Sequence, residues 1–222
     1  KDIGYYTSII VGNQKFRVIL DIGSSNLWIP NNDCTVEACQ NHERFNSSQS
    51  PTFKPEGQNC EITYGTGTAT GITGKNNIQI GSITANEQFF GLTEFEDNTF
   101  SFDELNTMDN GAPILISTLI KQKTIDPIFS FHFQHFNVSD DKRTFTLGGV
   151  DKSKFEGNIT FTPIISSNSI PNCFWVINLK DVNVNDHSMN FSREAIIDTG
   201  TTLLIIPDDD AVAIHSQFQD HF

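Results

Sequence analysis

The chain contains the run DIGSS at residues 21–25 and a related run, DTGTT, at residues 198–202. Each run begins with an aspartate, which is followed after one residue by a glycine and two hydroxyl side chains. Largely apolar stretches flank both runs, at 16–20 and 27–29 around the first and at 195–197 and 203–206 around the second. This pattern predicts a strand, a tight polar turn and a second strand, used twice in one chain.

Two aspartates in such turns are suited to acid–base chemistry. The apolar strands partly shield each carboxylate from water, and a second carboxylate beside the first makes double ionisation unfavourable, so the pair shares a proton. The ionised member can take a proton from a water molecule while the protonated member polarises a peptide carbonyl. The pattern therefore predicts Asp21 and Asp198 as a catalytic pair for amide hydrolysis, which requires neither a metal nor another cofactor.

The neighbours of the aspartates fit supporting roles. Gly23 and Gly200 allow sharp turns that expose backbone N–H groups to the carboxylate oxygens. Hydroxyl groups can donate hydrogen bonds to the same oxygens and favour their ionisation. The predicted donors are Ser24 and Thr201.

Three segments together resemble the pepsin-like family of aspartic endopeptidases: DIGSSNLWIP at 21–30, ITYGTGTATGITG at 62–74 and IIDTGTTLLIIP at 196–207. They occur in the order found in that family, and the likeness extends from Gly4 to Pro207. The resemblance implies an all-β, bilobal fold in which each lobe contributes one catalytic aspartate. We expect an N-terminal lobe over 1–150, which contains the first aspartate and the flap, and a partial C-terminal lobe over 151–222.

The family likeness also predicts the surroundings of the cleft. Ile62 to Ile72 form a glycine-bearing hairpin, and the resemblance implies a flap that contacts substrate through Tyr64, Gly65 and Thr66. The counterpart of Trp28 meets the hydroxyl of the flap tyrosine, although a core tryptophan is the alternative. Phe90 and Phe174 match positions that approach substrate side chains, and a plain core role is equally compatible with an aromatic residue in a strand.

Composition limits the class of partner. The formal net charge is −13, from 14 basic and 27 acidic residues, so phosphate backbones would be repelled and a nucleic-acid surface is not expected. No apolar run approaches the roughly 18 residues of a membrane span. We expect a monomer that binds polypeptide substrates and is inhibited by statine-type compounds. Loss of negative charge at low pH would reduce self-repulsion, which fits an acidic medium.

The four cysteines point to an oxidising compartment. Cys34 and Cys39 can close a small disulfide ring, whereas Cys60 and Cys173 stay unassigned because several pairings are possible. His132 and His135 lie on opposite faces of a strand, so no metal site is expected. Acceptor triplets for N-glycosylation begin at Asn46, Asn137, Asn158 and Asn190. We expect a glycoprotein in the extracellular space or in an acidic vacuole or lysosome, and the resemblance implies a zymogen precursor.

Short strands dominate the rest of the chain. Helices are predicted over Ala112–Lys123 and from Pro207 onward, where three aspartates suit the positive end of a helix. The strand signals lie at 9–11, 16–20, 78–83, 89–92, 129–133, 145–147 and 174–179.

Three departures from the family pattern affect the expected activity. Ile22 replaces a threonine whose hydroxyl joins the two catalytic turns, and Thr199 retains that hydroxyl in the other turn. One such hydrogen bond contributes about 0.5 to 1.5 kcal/mol. The region Glu94 to Ala112 lacks an apolar-apolar-Gly run that passes behind the first catalytic turn. The chain also stops at Phe222, where the family continues through its second lobe, so exposed apolar faces are expected.

Two other classes of function compete with the protease hypothesis. The first is a pepsin-like protein that binds peptides without cutting them, and Ile22 together with the missing run would favour it. The second is a β-sandwich interaction module, for which the two aspartate runs would be a coincidence.

Overall fold

The computed structural model describes residues 5–64, 67–96, 113–134, 143–171 and 174–218. Most of its regular structure is β. The first six strands are β1 (Tyr6–Val11), β2 (Gln14–Ile19), β3 (Trp28–Pro30), β4 (Lys54–Tyr64), β5 (Gly67–Ile80) and β6 (Ile83–Glu96). They form one sheet in the order β2-β1-β5-β6-β3, with β4 also paired to β5. Strand β3 runs parallel to β6, and the other pairs are antiparallel.

The later strands form two-stranded sheets. They are β7 (Phe129–His132) with β8 (Thr144–Leu147), β9 (Val176–Leu179) with β12 (Arg193–Ile196), and β10 (Asn183–Val184) with β11 (His187–Ser188). The helices are α1 (Glu37–Gln40), α2 (Leu115–Lys121) and α3 (Asp208–Ser216), and short 3-10 turns cover Ser47–Gln49 and Lys152–Lys154. No helix within the described ranges is both long enough and apolar enough to cross a membrane.

The core lies on one face of the six-stranded sheet. Ile9 and Val11 alternate with more exposed neighbours on β1, as expected for a strand with one buried face. Phe45 is completely buried there, with its ring 5.7 Å from that of Phe90 in an edge-to-face arrangement. The apolar alternation of the sequence therefore places one face of each strand against a shared aromatic cluster.

The second half of the chain is much less enclosed. Leu203, Leu204 and Ile205 follow the second aspartate turn and are 77%, 81% and 75% exposed. These side chains would normally be buried, because apolar surface is unfavourable in water. Their exposure agrees with the prediction of a partial second lobe.

Two predicted elements differ from the structure. The strand signal at 78–83 is a hairpin, because Gly81 adopts a φ of +58° and Ile80 pairs with Ile83 across the turn. The second helix begins at Asp208, with Pro207 as its N-cap residue. Asp210 does more than complement the helix dipole, since its buried carboxylate forms two hydrogen bonds with the Arg193 guanidinium, at 2.9 and 2.7 Å.

The cysteines are divided between two environments. Cys34 and Cys39 form a buried disulfide in the loop that contains α1, with their Cα atoms 6.0 Å apart. Cys60 is a buried free thiol on β4, and burial, together with the charge of Glu94, raises its pKa to about 11. Cys173 lies outside the described residues. The predicted disulfide is therefore present, and Cys60 is held in its unreactive protonated form.

Candidate active site

Two turns from opposite ends of the chain meet in the structure. The first follows β2 and contains Asp21, and the second follows β12 and contains Asp198. Each turn follows a strand that is hydrogen-bonded into a sheet, so the position of each aspartate is set by strand pairing. The carboxyl groups of Asp21 and Asp198 lie side by side, because the Gly23 N–H donates to an oxygen of each.

Backbone and hydroxyl donors surround the two carboxyl groups. The Gly23 N–H donates to Asp21 Oδ1 at 2.7 Å and to Asp198 Oδ1 at 3.1 Å. The Gly200 N–H donates to Asp198 Oδ1 at 2.8 Å, and the Thr201 hydroxyl donates to Asp198 Oδ2 at 2.5 Å. The side chain of Ser24 is hydrogen-bonded to Asp21. These contacts restrain the positions of both carboxyl groups.

Both glycines are required for the close approach of the turns. A Cβ atom added to Gly23 would lie 2.5 Å from Asp198 Cγ, and one added to Gly200 would lie 2.5 Å from Asp21 Cγ. Real Cβ atoms do not approach other heavy atoms this closely, so any larger residue would push the opposite carboxyl group away. The glycine of each turn thus makes room for the aspartate of the other.

The environments of the two aspartates shift their pKa values in opposite directions. Burial raises the pKa of Asp21 to about 7, and the hydrogen bond to Asp198 and its negative charge add to the increase. Burial also acts to raise the pKa of Asp198, but hydrogen bonds from Asp21, the Thr201 hydroxyl and two glycine N–H groups lower it overall. Between the two pKa values, the pair carries one proton.

Hydrogen bonds through Thr199 link the two turns. The Thr199 hydroxyl accepts from the Ile22 N–H at 3.1 Å and donates to the Leu20 carbonyl at 2.7 Å. The equivalent position of the first turn is Ile22, whose side chain has no hydroxyl. The second turn therefore contributes a threonine hydroxyl that links the two turns, and the first turn contributes no equivalent hydroxyl.

Replacing Ile22 with threonine tests this asymmetry. We expect Ile22→Thr to raise the melting temperature or the turnover modestly, because the new hydroxyl can make the reciprocal contact. One hydrogen bond contributes about 0.5 to 1.5 kcal/mol, and each kcal/mol corresponds to about 2 to 4 °C at this chain length. The measurements are thermal melting and peptide turnover in acid.

Ile22→Val is the matched control, since valine has the shape of threonine without its hydroxyl. Ile22→Thr should exceed Ile22→Val in stability. If both variants lose stability equally, the Ile22 side chain is simply well packed and the missing hydroxyl has no cost.

The remaining predicted site residues have different positions. Trp28 is half-buried at the start of β3, opposite Gly91 of β6. Tyr64 ends β4 at the tip of the predicted flap, while Gly65 and Thr66 lie outside the described residues. Phe174 is half-buried. Phe90 has no exposed surface and packs against Phe45 in the core, which is the core alternative that the sequence left open.

Two features near the turns were not predicted. The Arg193–Asp210 ion pair joins β12, which leads into the second turn, to α3, which follows it. The ring of Trp175 contacts that of Phe129 at 5.7 Å, and both side chains line a cavity next to the first turn. Neither feature has a local sequence signal, because each joins residues far apart in the chain.

Known proteins resemble this chain over most of its length. Residues 4–221 match the family model described as eukaryotic aspartyl protease. The chain belongs to that family. It is 35% identical to pepsin A of Rhinolophus ferrumequinum over 93% of this chain and 55% of the relative. It is also 34% identical to pepsin A of Sus scrofa, over 93% and 56%, and 33% identical to embryonic pepsinogen of Gallus gallus, over 97% and 58%.

The chain thus spans a little over half the length of these aspartyl proteases. In this chain, the DIGSS and DTGTT turns bring the carboxyl groups of Asp21 and Asp198 together. The membership establishes a peptidase family and a pepsin-like all-β fold.

Proposed function

We propose that the protein is an aspartic endopeptidase that hydrolyses peptide bonds with Asp21 and Asp198 as catalytic residues. The observation that carries the proposal is the meeting of the two aspartate turns, where the Gly23 N–H donates to an oxygen of both carboxyl groups. Shifts of opposite sign separate an acid from a base at one site, which is the arrangement that general acid–base hydrolysis needs.

In the proposed mechanism, a water molecule lies between the two carboxyl groups and the scissile carbonyl. Asp198, which is ionised, takes a proton from this water as its oxygen attacks the carbonyl carbon. Asp21 donates its proton to the carbonyl oxygen, and a tetrahedral diol forms. Asp198 then gives the proton it took from water to the amide nitrogen, and Asp21 takes a proton from one diol hydroxyl as the C–N bond breaks. The products are a carboxylic acid and an amine, and the pair again carries its one proton on Asp21. The donors from Gly23, Gly200 and Thr201 favour the ionised form of Asp198 before it accepts the proton from water.

Digestion of an unfolded protein at acidic pH tests the proposal directly. We expect internal cleavage that a statine-type inhibitor abolishes and that a metal chelator leaves unchanged. Binding of the inhibitor without any cleavage would favour the alternative, a peptide-binding protein that no longer cuts. If the chain neither binds the inhibitor nor cleaves the unfolded protein, both the protease hypothesis and the peptide-binding hypothesis are contradicted.

The proposal extends to compartment and domain organisation. We propose action in an acidic extracellular, vacuolar or lysosomal medium, because the protonated state of Asp21 persists there and the net charge of −13 diminishes. Asn158 and Asn190 are exposed and accessible to glycosylation, whereas Asn46 caps a 3-10 turn and Asn137 lies outside the described residues. We also propose lobes at 1–150 and 151–222. Fractionation of expressing cells, with glycosidase treatment, checks the location.

A further inference from the structure

An ion pair closes the loop that carries the second aspartate turn. Arg193 begins β12, and Asp210 lies in the first turn of α3, 17 positions later in the chain. The loop between them contains Asp198 and two of the groups that donate hydrogen bonds to it, the Gly200 N–H and the Thr201 hydroxyl. The ion pair therefore joins the chain before the turn to the chain after it.

The two sides of this loop are held differently. The entering side is strand β12, which is paired with β9 along its whole length. The leaving side, residues 202–206, belongs to none of the described strands or helices, and its side chains from Leu203 to Ile205 are exposed. Strand pairing thus fixes the chain before Asp198, whereas the position of the chain after Asp198 depends on where α3 is held.

Several contacts hold the Arg193 guanidinium in one orientation. Its Nε donates to Asp210 Oδ2 at 2.9 Å and its Nη2 donates to Asp210 Oδ1 at 2.7 Å, so the contact is bidentate. Its Nη1 donates to the Ser192 carbonyl at 3.1 Å, and its Cζ lies 5.7 Å from the centre of the Phe191 ring. A planar guanidinium can make these contacts together, whereas a lysine ammonium cannot present the same fork to the carboxylate.

The carboxylate end of the pair is buried. Asp210 is 5% exposed, while the Arg193 side chain is 47% exposed. Removing the partner of a buried charge is strongly destabilising, because the charge is then left without compensation, whereas an ion pair between two exposed side chains contributes little. The start of α3 is therefore anchored firmly to β12 by this contact.

We propose that Arg193 and Asp210 are positioning residues for the second aspartate turn: their ion pair fixes both ends of the loop and so keeps the Gly200 and Thr201 donors against Asp198. Donors that face a carboxylate favour its ionised form, and general base catalysis needs that form. The kinetic consequence rests on the proposed protease function. The titration of the aspartate pair does not, since it can be measured without any substrate.

Carbon-13 NMR of the aspartate carboxyl groups tests the proposal on the intact chain, with Asp198→Asn to identify the signal. Asp210→Asn and Arg193→Gln should each raise the lower titration midpoint of the Asp21–Asp198 pair by about 0.5 to 1 pH unit, as the loss of one hydrogen bond implies. A direct effect of charge would instead move the midpoint in opposite directions, because one variant removes a negative charge and the other removes a positive charge.

Peptide turnover gives a second measurement. The same two variants should lower kcat about three- to tenfold and leave KM unchanged, because the loop positions a catalytic group and not the substrate. Asp209→Asn is the matched control, since it is the same substitution at the exposed neighbouring position of α3, and it should leave the midpoint and kcat unchanged. Arg193→Lys keeps the charge without the fork and should shift both in the same direction by less. Circular dichroism checks folding.

Folded Asp210→Asn decides the question even where Arg193→Gln, which leaves a buried carboxylate unpaired, does not fold. A midpoint that stays unchanged or falls in Asp210→Asn would overturn the proposal, whatever happens to the melting temperature. Absence of cleavage by the wild type would contradict the protease function instead, and the NMR titration would then test the positioning role by itself.

Discussion

Asp21→Asn is expected to reduce peptide hydrolysis by at least about 100-fold while the chain stays folded, and Asp198→Asn should do the same. General acid–base catalysis contributes about 10²- to 10⁴-fold, and asparagine can neither release nor accept the required proton. The fold should survive in Asp21→Asn because Asn Oδ1 can still accept from the Gly23 N–H. Its Nδ2 can donate to Asp198 in place of the proton that Asp21 holds.

Peptide turnover at acidic pH, with circular dichroism as the check of folding, measures this effect. Asp209→Asn is the matched control, since Asp209 is exposed in the first turn of α3 and is not among the residues that donate hydrogen bonds to the carboxyl pair. That variant should retain full activity. Substantial cleavage by either active-site variant would show that the hydrolysis comes from another group or from a contaminating protease.

Activity is also expected to depend strongly on pH. The mechanism needs Asp198 ionised and Asp21 protonated, so activity should be highest between the lowered pKa of Asp198 and the pKa of about 7 of Asp21. Above pH 7 the rate should fall about tenfold per pH unit. Turnover of one peptide from pH 2 to pH 9 checks this, and a rate that increases toward pH 9 would contradict the assignment.

Stability should change with pH in the direction that each shift dictates. The pKa of Asp21 is 3.8 when unfolded and about 7 when folded, so the folded state binds more protons across this window. Its contribution to the free energy of unfolding is therefore fully present below pH 4 and is lost as pH rises through 7. Asp198 has the opposite effect, because its lowered pKa contributes stability above pH 3.8 that is lost in stronger acid.

Thermal melting at pH 3, 5 and 7 measures this dependence, and Asp21→Asn should flatten it between pH 4 and 7. Some decrease will persist in the variant, because burial also raises the pKa of the Glu96 carboxyl and gives a slope of the same sign. Identical slopes in the wild type and in Asp21→Asn would mean that Asp21 does not hold the shared proton.

Much of the fold follows from local sequence patterns. Alternating apolar residues predict strands, glycines with hydroxyl neighbours predict the two turns, and the Cys34–Cys39 spacing predicts a small disulfide ring. These features depend on residues close together in the chain, so their physics is readable without coordinates. The hairpin at Gly81 was missed because two apolar strands of one hairpin look like a single run.

The protonation of the aspartate pair depends on contacts between residues that are distant in the chain. The sequence predicts that two carboxylates share a proton, but which one holds it depends on unequal burial and on the donors that surround Asp198. The Arg193–Asp210 pair and the contact between the Trp175 and Phe129 rings likewise arise where separate elements meet. Burial and hydrogen-bond geometry exist only once the elements are packed together. The residue pattern therefore specifies which chemical groups are present, and tertiary packing sets the pKa values of those groups.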